Sequence, residues 1–107
     1  MRLAVPIDED KGLDSIVSNV FARANKFIII DLVDHDIKDY EIFDNEAKTF
    51  PHGAGPVAIK ILIDRGVDTI LAPEIGLGTR ELIKEKGLKL YLIKPGKKVS
   101  EVIKEVF

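Results

Sequence analysis

The sequence contains no cysteine, which excludes disulfides, thiolate metal ligands and a cysteine nucleophile. It also lacks an apolar run long enough to span a membrane. The first ten residues become acidic too early to resemble a secretory signal. We therefore expect a cytoplasmic protein that has no membrane segment.

A strong excess of charge of one sign is missing as well. The 16 Lys and Arg side chains nearly balance the 18 Asp and Glu side chains, which leaves a formal net charge of −2. Because the basic residues are scattered along the chain, we expect neither nucleic acid nor an acidic membrane as a partner. The content of 46% hydrophobic and 32% charged residues is typical of a globular chain, and 107 residues fit a single domain over residues 1–107.

Local patterns predict five strands and three helices. Apolar, β-branched runs bounded by turn residues indicate strands, while Pro56 and Gly66 are typical of a helix start and of the residue after a helix end. The predicted strands are 2–7, 26–33, 37–44, 67–73 and 88–94, and the predicted helices are 56–65, 76–87 and 98–107. Residues 8–25 show no clean period and are predicted to be a long loop that contains one helical turn at most.

The order of these elements predicts an α/β fold with helices on the faces of a mixed sheet. The last three strands alternate with helices, so they should be parallel and joined by right-handed crossovers. The hairpin of strands 2 and 3 makes strand 2 antiparallel, and the sheet order 3-2-1-4-5 satisfies these rules. The helix at 56–65 is apolar around more than half of its circumference, so we expect a second cover, for which a homo-oligomer contact is one candidate.

This sheet order also predicts where a ligand would bind. In open α/β sheets the ligand lies at the carboxyl ends of the strands, where the winding direction reverses, and here that point lies between strands 1 and 4. The loops 8–25, 44–55 and 73–79 converge there, together with the N-termini of two helices. Helix N-termini favour anions, so the topology predicts a pocket for a negatively charged ligand.

Two side chains near this edge have alternative interpretations. His52 precedes Gly53 and Gly55, which allow close approach of the backbone to a ligand. It is therefore either a metal ligand or anion contact, or a residue of a helix start without a ligand. Arg23 either clamps an anionic ligand or pairs with an acidic residue of its own loop.

Other motifs favour structural interpretations. Asp8, Glu9, Asp10 and Asp14 could form the divalent-metal site of a nuclease, but they crowd one loop instead of converging from several strands, which favours solvated acids. His35 fits a turn that requires positive φ. The motif "GLG" at 76–78 has Glu81 where a dinucleotide fingerprint needs its third glycine. No group of residues resembles a catalytic site with an activated nucleophile.

Four segments together resemble a known family: "VPIDEDKGLDSIVSNVFARANKFIIID", "HGAG", "GVDTILAPEIG" and "GLKLYLI". They are similar to the dinitrogenase iron–molybdenum cofactor biosynthesis family over almost the whole chain and in the same order. The resemblance implies a three-layer α/β/α, ribonuclease-H-like fold. It also implies a protein that binds an iron–sulfur or iron–molybdenum cluster, or its precursor, without catalysis.

The resemblance further implies the site residues. By position they are Asp14, Ser18, Phe21, Arg23, His52, Gly53, Gly55 and Gly76, with His52 as the metal ligand. The chain departs from the family pattern where Val20 replaces a histidine and Ala22 replaces a glycine. Proteins that donate or accept the cluster are the partners that the resemblance implies. The alternative function is a small regulatory module that binds an ordinary anionic metabolite at the helix N-termini.

Overall fold

The computed structural model describes all 107 residues. The strands are β1 (Arg2–Ile7), β2 (Lys26–Val33), β3 (Asp36–Asp44), β4 (Thr69–Ala72) and β5 (Lys89–Leu92), and the helices are α1 (Ala54–Asp64), α2 (Leu77–Glu85) and α3 (Val99–Val106). A short 3₁₀ helix, Glu46–Thr49, was not predicted. The other eight elements follow the predicted order, with ends that differ by a few residues.

The sheet has the predicted order β3-β2-β1-β4-β5. β2 pairs antiparallel with both β1 and β3, whereas β4 pairs parallel with both β1 and β5. This confirms the mixed five-stranded α/β fold with an antiparallel strand 2. The winding direction reverses between β1 and β4, as expected, because the chain moves outward from β1 to β3 first and to β4 and β5 later.

The sheet separates two apolar cores, which makes three layers. On one face α1 and α2 cover a core that includes Phe27, Ile59 and Ile70. On the other face α3 covers a core that includes Ile28 and Val102. Burial of such side chains contributes roughly 1.5–3 kcal/mol each, so both faces of the central strands are stabilised. None of the helices is long and apolar enough to cross a membrane.

Helix α1 begins two residues earlier than predicted. Gly53 is its N-cap and has φ 72°, a left-handed conformation that glycine adopts without strain. Pro56 is then the third helical residue, where its missing N–H is still not needed. Gly66, at φ 82°, follows the helix end as predicted. Since α2 and the 3₁₀ helix lie against α1, the expected second cover of this helix comes from within the chain.

The loop 8–25 contains no helix. Backbone hydrogen bonds attach it to the turn before α3, with Val17 N donating to Lys97 O at 2.9 Å and Val99 N donating to Ser15 O at 2.9 Å. Ser18 N also donates to the carbonyl of Pro6 in β1 at 2.9 Å. The long loop is therefore fixed by partners that are distant in sequence, which is why its own residues show no period.

Candidate functional site

A cleft lies at the predicted edge of the sheet, beyond the carboxyl ends of β1 and β4. It has a volume of about 250 Å³. Residues 19–23 of the long loop form one wall, and Glu74, Ile75, Gly76 and Thr79 form the other. The reversal of the sheet order creates this gap, because the chain leaves β1 and β4 in opposite directions there.

Phe21 anchors the wall that the long loop provides. Its side chain is buried, and its ring centroid lies 5.4 Å from that of Phe27 in a tilted arrangement. Phe27 is fully buried in the core beneath α1. A loop residue is thus held by aromatic packing on a central strand, which fixes the backbone on both sides of Phe21.

The opposite wall includes the N-terminus of α2. Gly76 is the N-cap of this nine-residue helix and makes no side-chain cap hydrogen bond. The first backbone N–H groups of a helix have no intrahelical partner, and the helix dipole adds partial positive charge at the same end. The wall at Gly76 therefore favours an anion in the cleft.

Arg23 connects the cleft to the segment between β3 and α1. Its Nη1 donates to the carbonyls of Lys48 at 3.1 Å and Phe50 at 2.9 Å, and its Nη2 donates to the carbonyl of Pro51 at 3.4 Å. The suggested pairing with an acid of its own loop is therefore wrong, because backbone carbonyls take that place. A guanidinium has five N–H donors, so two remain for a ligand.

Asn45 holds the same two loops together from inside. It is fully buried; its Nδ2 donates to the carbonyls of Ala22 and Ala24 at 2.9 Å each, and its Oδ1 accepts from Ala47 N at 3.0 Å. Asn45 is not among the site residues that the sequence predicts. The signal that could have found it is an asparagine directly before a helical turn, which is a preferred N-cap.

Gly55 brings the first turns of α1 and α2 together. A Cβ atom built on Gly55 would lie 2.1 Å from Oγ1 of Thr79, which is a cleft residue. Only glycine allows this approach. The close approach at Gly55 is to another helix, whereas the sequence predicted an approach to a ligand.

His52 and Gly53 lie beside the cleft and do not line it. Both are exposed, and His52 follows Pro51, whose carbonyl accepts the hydrogen bond from Arg23. Nowhere in the chain do three or more His, Cys, Asp or Glu side chains form a group that could hold a metal ion. The cleft therefore does not fit a cluster that is bound mainly through protein side-chain ligands.

Ser18 and Asp14 lie on the other side of the long loop. Ser18 is buried, its Oγ accepts from Val20 N at 3.2 Å, and it lines a second cavity of about 320 Å³. Asp14 is exposed and lies 3.9 Å from Nζ of Lys98. Of the eight predicted site residues, the structure thus places Phe21, Arg23 and Gly76 in the wall of one cleft.

The acids of the long loop are engaged separately. Asp8 accepts from Asn25 N at 3.0 Å, Asp10 accepts from Gly12 N at 3.0 Å, and Asp14 faces Lys98. Catalysis by two metal ions requires carboxylates that converge on one point. This arrangement supports the interpretation of these residues as solvated loop acids.

The cleft itself carries one charge of each sign. Arg23 and Glu74 both line it, so its attraction for an anion comes from the guanidinium and from the N-terminus of α2, and is opposed by one carboxylate. Val20, Ala22 and Ile75 supply apolar contact surface. Such a cleft can hold a compact anion through hydrogen bonds and packing.

Comparison with known proteins places this fold among relatives. The family model described as dinitrogenase iron-molybdenum cofactor matches residues 1–107. An uncharacterized protein of Methanocaldococcus jannaschii is 31% identical over 91 residues, which cover 85% of this chain and 73% of that protein.

Two solved structures are similar over almost the whole chain. The apo form of the orange protein from Desulfovibrio gigas is 28% identical, with a TM-score of 0.86, 98% of this chain covered and 85% of the other. A Thermotoga protein named for NifB and placed in the DUF35 family is 34% identical, with a TM-score of 0.78 and the same two coverages of 98% and 85%.

Proposed function

The chain belongs to the dinitrogenase iron-molybdenum cofactor family, and from this premise we propose that it is a non-enzymatic carrier of an iron–sulfur or iron–molybdenum cluster or its precursor. The observation that carries the proposal is the cleft between Arg23 and the uncapped N-terminus of α2. Metal–sulfur clusters of this kind are anionic, and both features favour an anion. Proteins that donate and accept the cluster would be its partners.

The chemistry of the cleft indicates how such a ligand would be held. With no cysteine in the chain and no group of metal-ligating side chains, the cluster would keep its own sulfide ligands. Arg23 and the backbone N–H groups that follow Gly76 would hold its anionic periphery. His52 would be the one imidazole ligand from the side of the cleft, since it adjoins the carbonyl that Arg23 binds.

Anaerobic titration with tetrathiomolybdate and with a synthetic iron–sulfur cluster, followed by absorbance, tests the proposal. We expect saturable binding by the wild type and roughly tenfold weaker binding by Arg23→Gln, because a charge-assisted hydrogen bond contributes about 1.5–3 kcal/mol. His52→Ala tests ligation separately. Equal binding by the wild type and His52→Ala would remove His52 from the site and leave Arg23 in it.

The matched control is Arg65→Gln, which removes the same charge at a distance from the cleft, where Arg65 lies over the ring of Phe43 at 3.7 Å. Arg65→Gln should bind like the wild type. A wild type that binds neither probe would reject the carrier function. Equal loss of binding in both arginine variants would show that overall charge, and not the cleft, attracts the anion.

A second candidate function is a regulatory module for an ordinary anionic metabolite. The observation that favours it is the same lack of a group of metal-ligating side chains beside an anion-favouring cleft. A thermal-shift screen separates the two candidates, because a ligand that binds the native state raises the melting temperature. Stabilisation by nucleotides or sugar phosphates, without stabilisation by metal–sulfur anions, would favour the module.

A further inference from the structure

The outer edge of β5 is unpaired and has free backbone groups. Lys89 N donates to Asp68 O at 3.0 Å and Ile93 N donates to Ala72 O at 2.9 Å, so alternate residues of this strand face β4. By the two-residue period of a parallel ladder, the N–H and C=O groups of Leu90 and Leu92 point away from the sheet. These N–H groups can donate hydrogen bonds to one further strand, and these C=O groups can accept hydrogen bonds from it.

Apolar side chains flank this edge on both faces of the sheet. Leu92 is 53% exposed and shares the face of Leu90, which packs toward the core beneath α1 and α2. Tyr91 is 37% exposed on the opposite face, where its ring stands 5.4 Å from that of Phe107. An added strand would therefore find an apolar contact on each face for its alternating side chains.

The charge around β5 is strongly basic. Residues 84–98 contain six lysines and a single glutamate, whereas β3 at the opposite edge contains four acidic residues and one lysine. Lys89 lies in the strand, and Lys94 follows it closely. Lys97 and Lys98 pair with Glu105 and Asp14, so Lys89 and Lys94 are the lysines that give the β5 edge its positive charge.

The same lysines argue against a symmetric dimer through this edge. Two β5 strands would bring like charges together, and charged edge strands resist self-pairing. An acidic peptide strand would instead meet complementary charge. Its backbone would also pair with the free N–H and C=O groups of β5, which the backbone of a nucleic acid cannot do. We propose that the β5 edge binds an extended acidic segment of a partner protein as a sixth strand of the sheet.

A display library of random ten-residue peptides tests this proposal with the whole chain as bait. The wild type should enrich peptides that combine apolar residues with Asp or Glu and in which proline is rare. Leu92→Pro removes an outward N–H and leaves the ladder to β4 intact, so we expect about tenfold lower enrichment. A thermal melt of the variant verifies that it is folded.

A charge reversal supplies the second, independent variant. K89E/K94E keeps the backbone groups and should shift the selected peptides from acidic to basic ones, whereas K38E/K60E has the same net charge change away from β5 and should select like the wild type. Absence of acidic peptides, or a selection that survives Leu92→Pro, would overturn the proposal. If the wild type sediments as a dimer and Leu92→Pro as a monomer, the edge binds a second copy of this chain, and the proposal of an acidic partner segment is overturned.

Discussion

At the scale of single residues, Arg23 and Asn45 position the cleft. Arg23 spans from the long loop to three carbonyls of the segment before α1, and Asn45 bonds the same loop from the buried side. Arg23 was a site candidate in the sequence, since a lone cation in a loop is visible there. The hydrogen-bond partners of Arg23 could not be predicted, because backbone carbonyls more than 20 positions away leave no local pattern.

Glu74 is the residue whose removal should strengthen anion binding. Its carboxylate lines the cleft beside Arg23 and repels an anionic ligand. We expect Glu74→Gln to bind tetrathiomolybdate about two- to fivefold more tightly, since exposed charge pairs contribute up to about 1 kcal/mol. Absorbance titration measures the change, with Glu81→Gln on the exposed face of α2 as control. Weaker binding by Glu74→Gln would mean that this carboxylate takes part in holding the ligand.

Lys26 and Asp44 form the one ion pair with shifted pKa values. Their mutual hydrogen bond raises the pKa of Lys26 above 10.5 and lowers the pKa of Asp44 below 3.8. The pair therefore stabilises the folded state fully at pH values between 3.8 and 10.5, where both side chains are charged. That contribution disappears as the pH falls through the lowered pKa of Asp44, or rises through the raised pKa of Lys26.

Asp44→Asn should bring the pKa of Lys26 back down toward 10.5, because the hydrogen bond to Asp44 is the largest cause of its shift. NMR titration of the lysine side chain measures this directly. The difference in the free energy of unfolding between the two proteins should be largest near neutral pH and vanish in strong acid. An unchanged Lys26 pKa in Asp44→Asn would contradict the pairing.

At the scale of elements, the N-termini of α1 and α2 meet beside the cleft. Gly55 in α1 touches Thr79 in α2, so the two starts lie side by side at the same edge of the sheet. The sequence was sufficient to predict both helices and their edge, because periodicity and the crossover rule determine them. It was not sufficient to predict the start of α1. Pro56 is typical of a first helical residue, but Gly53 at φ 72° is the N-cap and the helix begins at Ala54.

Gly55→Ala should disturb this contact. The new Cβ would meet the side chain of Thr79, and overpacking of this kind costs roughly 1–3 kcal/mol. Gly78→Ala is the matched control, because nothing lies within 4 Å of its added Cβ and alanine favours a helix by roughly 0.5–1 kcal/mol.

Thermal denaturation compares the two alanine variants. We expect a lower melting temperature for Gly55→Ala and an equal or higher one for Gly78→Ala. Thr79→Ala in the Gly55→Ala background should restore part of the loss, since it removes the atom nearest to the added Cβ. Equal melting temperatures of Gly55→Ala and the wild type would show that the two helices are not in tight contact.

At the scale of the whole molecule, the sheet order collects what the sequence spreads out. Residues 19–23 and 74–79 are far apart in the chain and form the two walls of one cleft. Lys89 in β5 and the acids of β3 lie at opposite edges of the sheet. The order 3-2-1-4-5 could be predicted, and with it the edge of the site. The position of the wall at residues 19–23 depends on long-range contacts that no local pattern reveals, such as the packing of Phe21 on Phe27 and the hydrogen bond from Asn45 to Ala22.

The central claim is that an anionic metal–sulfur ligand binds between these two walls. The most direct test is a titration of the ¹⁵N-labelled protein with tetrathiomolybdate under anaerobic conditions, followed through the backbone amide resonances. The account predicts that the largest shifts fall on residues 19–23 and on the amides from Gly76 to Thr79. No saturable shift, or shifts centred on the lysines of residues 84–98, would contradict it.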